Sequence, residues 1–199
     1  MRLILVRHGQ TDANLRKVIS GSTDSLLSEE GKRQAERVGL RLSTEKIDAA
    51  FSSDLTRAVE TAKSMISHHP HLSLQIDARL RERDCGVLEG QPYGSQQRHA
   101  ERLGIPYNEF RPENGESELD VRARAVDFFK GLLTSENSDK TILLVSHGGV
   151  ITNLFMHLSG APEESFRQLH PENTAVTVLD VDAKGNHEIL LLNCIKHLE

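Results

Sequence analysis

Two apolar runs in this sequence end in the same way. Residues 3–6 lead into Arg7-His8-Gly9, and residues 141–145 lead into Ser146-His147-Gly148. A shorter run, 49–51, leads into Ser52-Ser53 with Arg57 soon after, and Glu82 stands between Arg81 and Arg83. Two imidazoles, two guanidiniums and one carboxylate suit phosphoryl transfer. Arginine forks bind the oxygens of a doubly charged phosphate monoester and never lose their own charge. A neutral imidazole nitrogen can attack phosphorus and split one displacement into two through a phosphohistidine. What remains is in-line positioning and charge stabilisation. A carboxylic acid such as Glu82 can give the leaving alkoxide its proton. Small Gly9 and Gly148 would let backbone amides come close to phosphate oxygens. The set is chemically complete without a metal.

These groups must be carried to one place by the elements around them. Runs 3–6 and 141–145 are continuously apolar rather than alternating, which predicts strands covered on both faces. Alternation of such runs with helical patterns predicts an α/β fold with a largely parallel sheet. Ligands of such sheets sit beyond the carboxyl ends of the strands. His8 with Arg7, Arg57 and His147 are therefore sent to one rim, and Glu82, after a strand at 72–76, can reach it. Ser28 is placed to cap a helix with Ala35, Val38, Gly39 and Leu42 on one face. A helix opening near Ser53 or Asp54 buries Leu55, Ala58, Val59, Ala62, Met65 and Ile66. Ser117 caps another that carries Val121, Ala125, Phe128, Phe129, Leu132 and Leu133, and residues 150–158 read as a further helix. Runs 175–179 and 189–194 flank Lys184-Gly185-Asn186, a hairpin signal. The stretch 86–116 is the least regular and reads as a lid or insertion within a single domain, 1–199.

A length of 199 residues fits one domain, and 27% charged residues with 37% hydrophobic ones is an ordinary globular balance. The formal net charge of -5 argues against wholesale binding to nucleic acid or anionic membranes, so an anionic substrate needs a local basic pocket. No apolar run approaches the roughly 18 residues of a membrane helix, and residues 3–6 are too short for a signal-peptide core. Two cysteines, Cys85 and Cys194, make no disulfide framework, and a reducing cytoplasm is the expected home.

Six blocks occur in order: Arg7-His8-Gly9; Ser52-Ser53-Asp54-Leu55-x-Arg57-Ala58-x-Glu60-Thr61; Leu80-Arg81-Glu82; Gly86-Val87-Leu88-Glu89-Gly90; Gly115-Glu116-Ser117; and Ser146-His147-Gly148. Together they resemble the histidine phosphatase superfamily, in its phosphoglycerate mutase-like branch. The resemblance implies a three-layer α/β/α sandwich with a mixed, mostly parallel sheet. It implies His8 as the nucleophile that is phosphorylated, with Arg7, Arg57 and His147 forming the phosphate pocket. Asn14 would add a side-chain donor, Ser20 and Gly21 would line the substrate site, and Glu82 would be the proton donor and then the base for water. Members generally need no metal and no cofactor. Gln10 stands where many members carry an acid, and Cys85 where the family often has an aromatic.

A mutase must exclude water and hold its intermediate. Only 86–116 is available as a cover here, which favours a phosphatase acting on small phosphorylated metabolites; the alternatives are a phosphoglycerate mutase or an α-ribazole phosphate phosphatase. The arginine-rich run 79–90 looks closest to the TIGAR-like sugar bisphosphatases. Arg81, Arg83 and Arg111 either meet a second phosphate or carboxylate, or are exposed and solvated. Arg57 has a rival reading as a helix-surface partner of Glu60. The cluster His68-His69-Pro70-His71 has no fixed geometry for a metal and reads as an exposed loop.

Overall fold

The computed structural model describes residues 1–199, apart from the Ser135 side chain. Six strands form one sheet in the order β3-β2-β4-β1-β5-β6. They are β1 (Arg2–Arg7), β2 (Ala49–Ser52), β3 (Leu74–Ile76), β4 (Thr141–Ser146), β5 (Val176–Val181) and β6 (His187–Cys194). Strands β3, β2, β4 and β1 run parallel, and β5 and β6 add an antiparallel edge. The helices are α1 (Asp12–Arg16), α2 (Glu29–Leu42), α3 (Thr56–Ile66), α4 (Ser95–Leu103), α5 (Glu118–Leu132), α6 (Gly148–Ser159) and α7 (Phe166–Leu169).

The doubly apolar strands are explained by two separate cores. Leu3, Leu5, Ile142 and Leu144 face α5 and α6, packing with Val121, Ala125, Phe129, Val150 and Leu154. Ile4, Val6, Leu143 and Val145 face α2 and α3, packing with Val38, Leu42, Ala58, Ala62 and Met65. Each alternate side chain of β1 and β4 is thus buried on one side or the other, and the molecule is the three-layer α/β/α sandwich with a mixed sheet that the sequence implied. The caps form as read: Ser28 accepts from Gly31 N, and Ser117 forms a capping box with Asp120. Gly39 sits where α2 crosses α3, and a Cβ there would lie 2.9 Å from the Ser64 carbonyl.

Two readings of the chain are corrected. The irregular stretch holds a regular helix, α4, and Cys85, Leu88, Ala100 and Phe110 join Ile19 in a small core of their own. The histidine cluster is not an exposed loop throughout, because His69 is buried and its Nε2 bonds the Leu42 carbonyl at the end of α2. His71 does the same for the Ile47 carbonyl. These rings satisfy backbone acceptors left open at and beyond a helix terminus. Among the described residues, no group of His, Cys, Asp and Glu side chains is placed to hold a metal, and no helix is long and apolar enough to cross a membrane.

Candidate active site

Parallel register sets the centre of the site. Arg7 pairs with Ser146 across β1 and β4, so the next residues, His8 and His147, emerge side by side. Their ring centroids are 5.0 Å apart with the planes inclined at 60°. Ser52 pairs with Val145, which brings Ser53 beside them, and Ser53 Oγ lies 2.9 Å from His147 Nε2.

The partner of His8 fixes its tautomer. His8 Nδ1 lies 2.7 Å from the Gly9 carbonyl, which can only accept, so Nδ1 carries the proton and Nε2 keeps its lone pair. Ser53 Oγ accepts from Leu55 N and can give its own proton to His147 Nε2, which leaves His147 Nδ1 as a donor. Burial, then Arg57 and Arg7, hold the His8 pKa well below its ordinary value; burial, Arg57 and His8 do the same for His147. Both rings are neutral at pH 7.

The cations come from separate segments. Arg57, on the first turn of α3, is fully buried and donates from Nη2 to the Gly21 carbonyl at 2.7 Å and from Nη1 to the Thr23 carbonyl at 3.0 Å. It has no bond to Glu60; its nearest carboxylate is Asp24 at 4.0 Å. Arg7 donates from Nη1 to the Pro171 carbonyl at 2.7 Å. Glu82 is held by two backbone amides, Arg83 N at 2.9 Å and Gly149 N at the start of α6 at 3.2 Å. It is an anchored carboxyl group, not one link in a solvated charge run.

Among the described residues, four buried side-chain polar atoms have no partner: Arg7 Nε, Ser20 Oγ, Arg57 Nε and His147 Nδ1. All four belong to this site. Buried polar groups are nearly always satisfied, and leaving one unmade costs about 1–3 kcal/mol, more when charged. Four such groups beside the paired rings of His8 and His147 are donors with room for an acceptor such as an oxyanion. The adjoining cavity is about 690 Å³, and its lining includes Arg7, His8, Ser20, Arg57 and Glu82.

Other expected residues fall differently. Asn14 and Gly21 line the cavity, but Asn14 gives its amide to the Tyr93 hydroxyl at 2.9 Å and Gly21 gives its carbonyl to Arg57. At Gly9 the amide donates to Thr61 Oγ1, and a Cβ would lie 2.5 Å from the Gly31 carbonyl. Gly148 is small because a Cβ would strike the His170 ring at 2.3 Å, and at Gly149 a Cβ would reach Glu82 Oε1 at 2.5 Å. The extra arginines are engaged. Arg81 forks onto Asp54, Arg111 bonds Asp120, and Arg83 is buried against Glu118. Cys85 is buried in the cavity wall, and burial pushes its thiol pKa up.

Sequence reasoning missed His170. Its ring stands in the cavity beside Gly148, where desolvation by the cavity wall, then Arg7, push its pKa down. It also missed Tyr93, Tyr107 and Phe166, which line the same space. No local pattern marks them; only the return of β5 beside β1 brings the segment carrying His170 here.

The family model of the histidine phosphatase superfamily (branch 1) matches residues 3–194. The chain belongs to that superfamily. The fructose-2,6-bisphosphatase TIGAR of Xenopus tropicalis is 40% identical over 134 residues, covering 65% of this chain and 49% of that protein. The chain thus spans about half the length of the TIGAR relatives it matches. Bacillus stearothermophilus YhfR superposes with a TM-score of 0.88 at 28% identity, covering 100% of this chain and 99% of that one. The mycobacterial glucosyl-3-phosphoglycerate phosphatase, solved with VO3, gives 0.83 at 29% identity, covering 98% and 99%.

The neutral rings give the chain a pH signature. In the unfolded chain a histidine protonates near pH 6.5. In the folded chain His8 and His147 protonate well below that. Between the two values the unfolded state binds more protons, so stability is complete above about pH 6.5 and is lost as pH falls below it. Each ring adds about 1.4 kcal/mol per pH unit to the slope within that window. Urea denaturation at pH 7.5, 6.5 and 5.5 should show this decline, and saturating phosphate should flatten it by pairing with imidazolium. A stability independent of pH over this range would mean that the rings are not held neutral.

Proposed function

We propose that the protein is a phosphomonoesterase that works through a phosphohistidine on a small phosphorylated metabolite. The observation that carries this reading is the set of four partnerless buried atoms around the paired rings of His8 and His147. Phosphate oxygens accept from Arg7 Nε, Arg57 Nε, His147 Nδ1 and Ser20 Oγ. His8 Nε2 attacks phosphorus, the bond to the ester oxygen breaks, and Glu82 gives the leaving alkoxide its proton. Glu82, now a carboxylate, takes a proton from water as that water attacks phosphorus. The bond to Nε2 breaks, free phosphate leaves, and His8 returns to its neutral state. Arginines that stay in place throughout stabilise the charge spread over the equatorial oxygens. No step asks for a metal ion, so activity in chelator should equal activity without it.

We read 86–116 as the cover of the leaving-group side, since Tyr93, Gly94, Gln96, Gln97 and Tyr107 of that stretch line the cavity. Tyr93 is 47% exposed at its mouth, which leaves water a route to the intermediate and favours hydrolysis over mutase transfer. Cys85 and Cys194 are free thiols, consistent with a reducing cytoplasm.

The test is a leaving-group series. Glu82→Gln keeps the shape but cannot supply a proton. It should cut kcat on alkyl phosphates roughly 10²–10⁴-fold, and much less on p-nitrophenyl phosphate, whose phenolate leaves without protonation. An equal loss on both classes would remove Glu82 from the role of acid.

A further inference from the structure

The two ends of the cavity differ in charge. At the phosphate end, Arg7 and Arg57 carry partnerless donors. Beyond them the cavity is lined by only two further arginines among the described residues, Arg83 and Arg167. Arg83 is held in the wall, with a bond from each of its three nitrogens and its charge paired with Glu118. Its Nη1 bonds Glu118 Oε1 at 2.9 Å, its Nη2 the Phe110 carbonyl at 2.6 Å and its Nε the Glu116 carbonyl at 2.8 Å. Turning it toward a substrate would strand Glu118, which is itself buried and held by Asn153 Nδ2 at 2.6 Å. Arg167 stands on the exposed rim with Glu163 and Glu164, which line the same edge. Glu163 is already forked by Arg122, so Glu164 and Arg167 leave that edge close to neutral. A second phosphate or a carboxylate here would meet Arg83 already paired with Glu118, and an exposed Arg167 on a rim that also carries Glu163 and Glu164.

The wall offers something else. Tyr107 presents a ring edge-on to Phe166, with centroids 6.2 Å apart, and Arg83 lies 5.4 Å over the Tyr107 ring, fixing it. Gln96 and Gln97 bring amides from α4, and Gln96 gives one donor to Cys85 Sγ, which leaves its carbonyl oxygen available. Aromatic surfaces suit the C–H faces of a ring, and amides donate to and accept from hydroxyls.

We infer that the substrate is a monophosphate ester of an uncharged, hydroxylated ring compound of about sugar size, with no second phosphate and no carboxylate on the leaving group. This rests on the phosphomonoesterase reading and narrows it. It departs from the bisphosphate that the TIGAR relatives are named for.

The experiment measures kcat/KM of the full chain on p-nitrophenyl phosphate, on glucose 6-phosphate and fructose 6-phosphate, and on fructose 2,6-bisphosphate and 3-phosphoglycerate. The neutral hexose monophosphates should exceed each of the last two by tenfold or more. Turnover of p-nitrophenyl phosphate without that preference overturns this inference and leaves the phosphatase reading standing. Absence of turnover on every compound, p-nitrophenyl phosphate included, overturns both.

Discussion

Replacing His8 by Ala should reduce turnover by roughly 10⁴-fold or more, as removal of a covalent nucleophile does. It should also abolish an acid-labile phosphoryl adduct that rapid quench of the unaltered protein with radiolabelled donor traps. The size of the effect follows from what His8 alone supplies. Its neighbour His147 is equally buried and equally neutral, but its Nε2 is taken by Ser53 Oγ at 2.9 Å. The other face of His8 is committed to the Gly9 carbonyl, so its Nε2 combines an unshared lone pair with a fixed ring. The fold should survive the change. The backbone bond from His8 N to the Ser146 carbonyl remains, and the cavity already adjoins the site. A variant that keeps both its melting temperature and its turnover would refute covalent catalysis at this position. Loss of turnover with the adduct retained would move the nucleophile elsewhere.

Replacing Arg57 by Lys should cost nearly as much as replacing it by Ala, roughly 10²–10³-fold in kcat/KM, or about 3–4 kcal/mol of transition-state stabilisation. The guanidinium performs two tasks at once. Its Nη1 and Nη2 hold the Thr23 and Gly21 carbonyls, which orders the loop carrying Ser20, while Nε stays buried and unspent. A lysine ammonium is a point charge on a flexible stem and cannot meet three fixed acceptors in one plane. Vanadate affinity should fall in parallel with kcat/KM, since both report the same cradle. If Lys restores activity within a few-fold of the original, Arg57 acts only as a charge and the fork geometry is irrelevant. The charge is costly to keep: burial lowers the Arg57 pKa, and its nearest carboxylate stands 4.0 Å away. Such an arrangement serves a guest with negative charge rather than the stability of the empty fold.

The legible part of the site lay at strand ends. β1 and β4 could be read from composition because doubly buried parallel strands are apolar without alternation, and whatever follows such a strand is delivered to the sheet rim. That placed Arg7, His8 and His147 correctly, and the same reasoning carried Arg57 on the helix after β2. The glycines carry constraints that the sequence does not show: a Cβ at Gly9 would meet the Gly31 carbonyl and one at Gly148 the His170 ring, each contributed by another segment. The surplus arginines were ambiguous for a similar reason. A sequence reports that Arg83 is charged, not that Glu118, 35 residues on, will neutralise it in the wall.

By itself, then, the order of residues determined which side-chain types are carried to the sheet rim, because strand periodicity and side-chain type are local properties. It also determined the layer arrangement, since apolar stripes on helices and unbroken apolar strands can be buried in few other ways. What surrounds the leaving group was decided only by tertiary structure. Tyr107, Phe166, His170 and the Arg83–Glu118 pair meet through contacts between segments far apart in the chain, and charges there cancel or persist according to which neighbours folding brings within hydrogen-bonding distance. Specificity is a property of that summed environment, and no single stretch of the chain contains it.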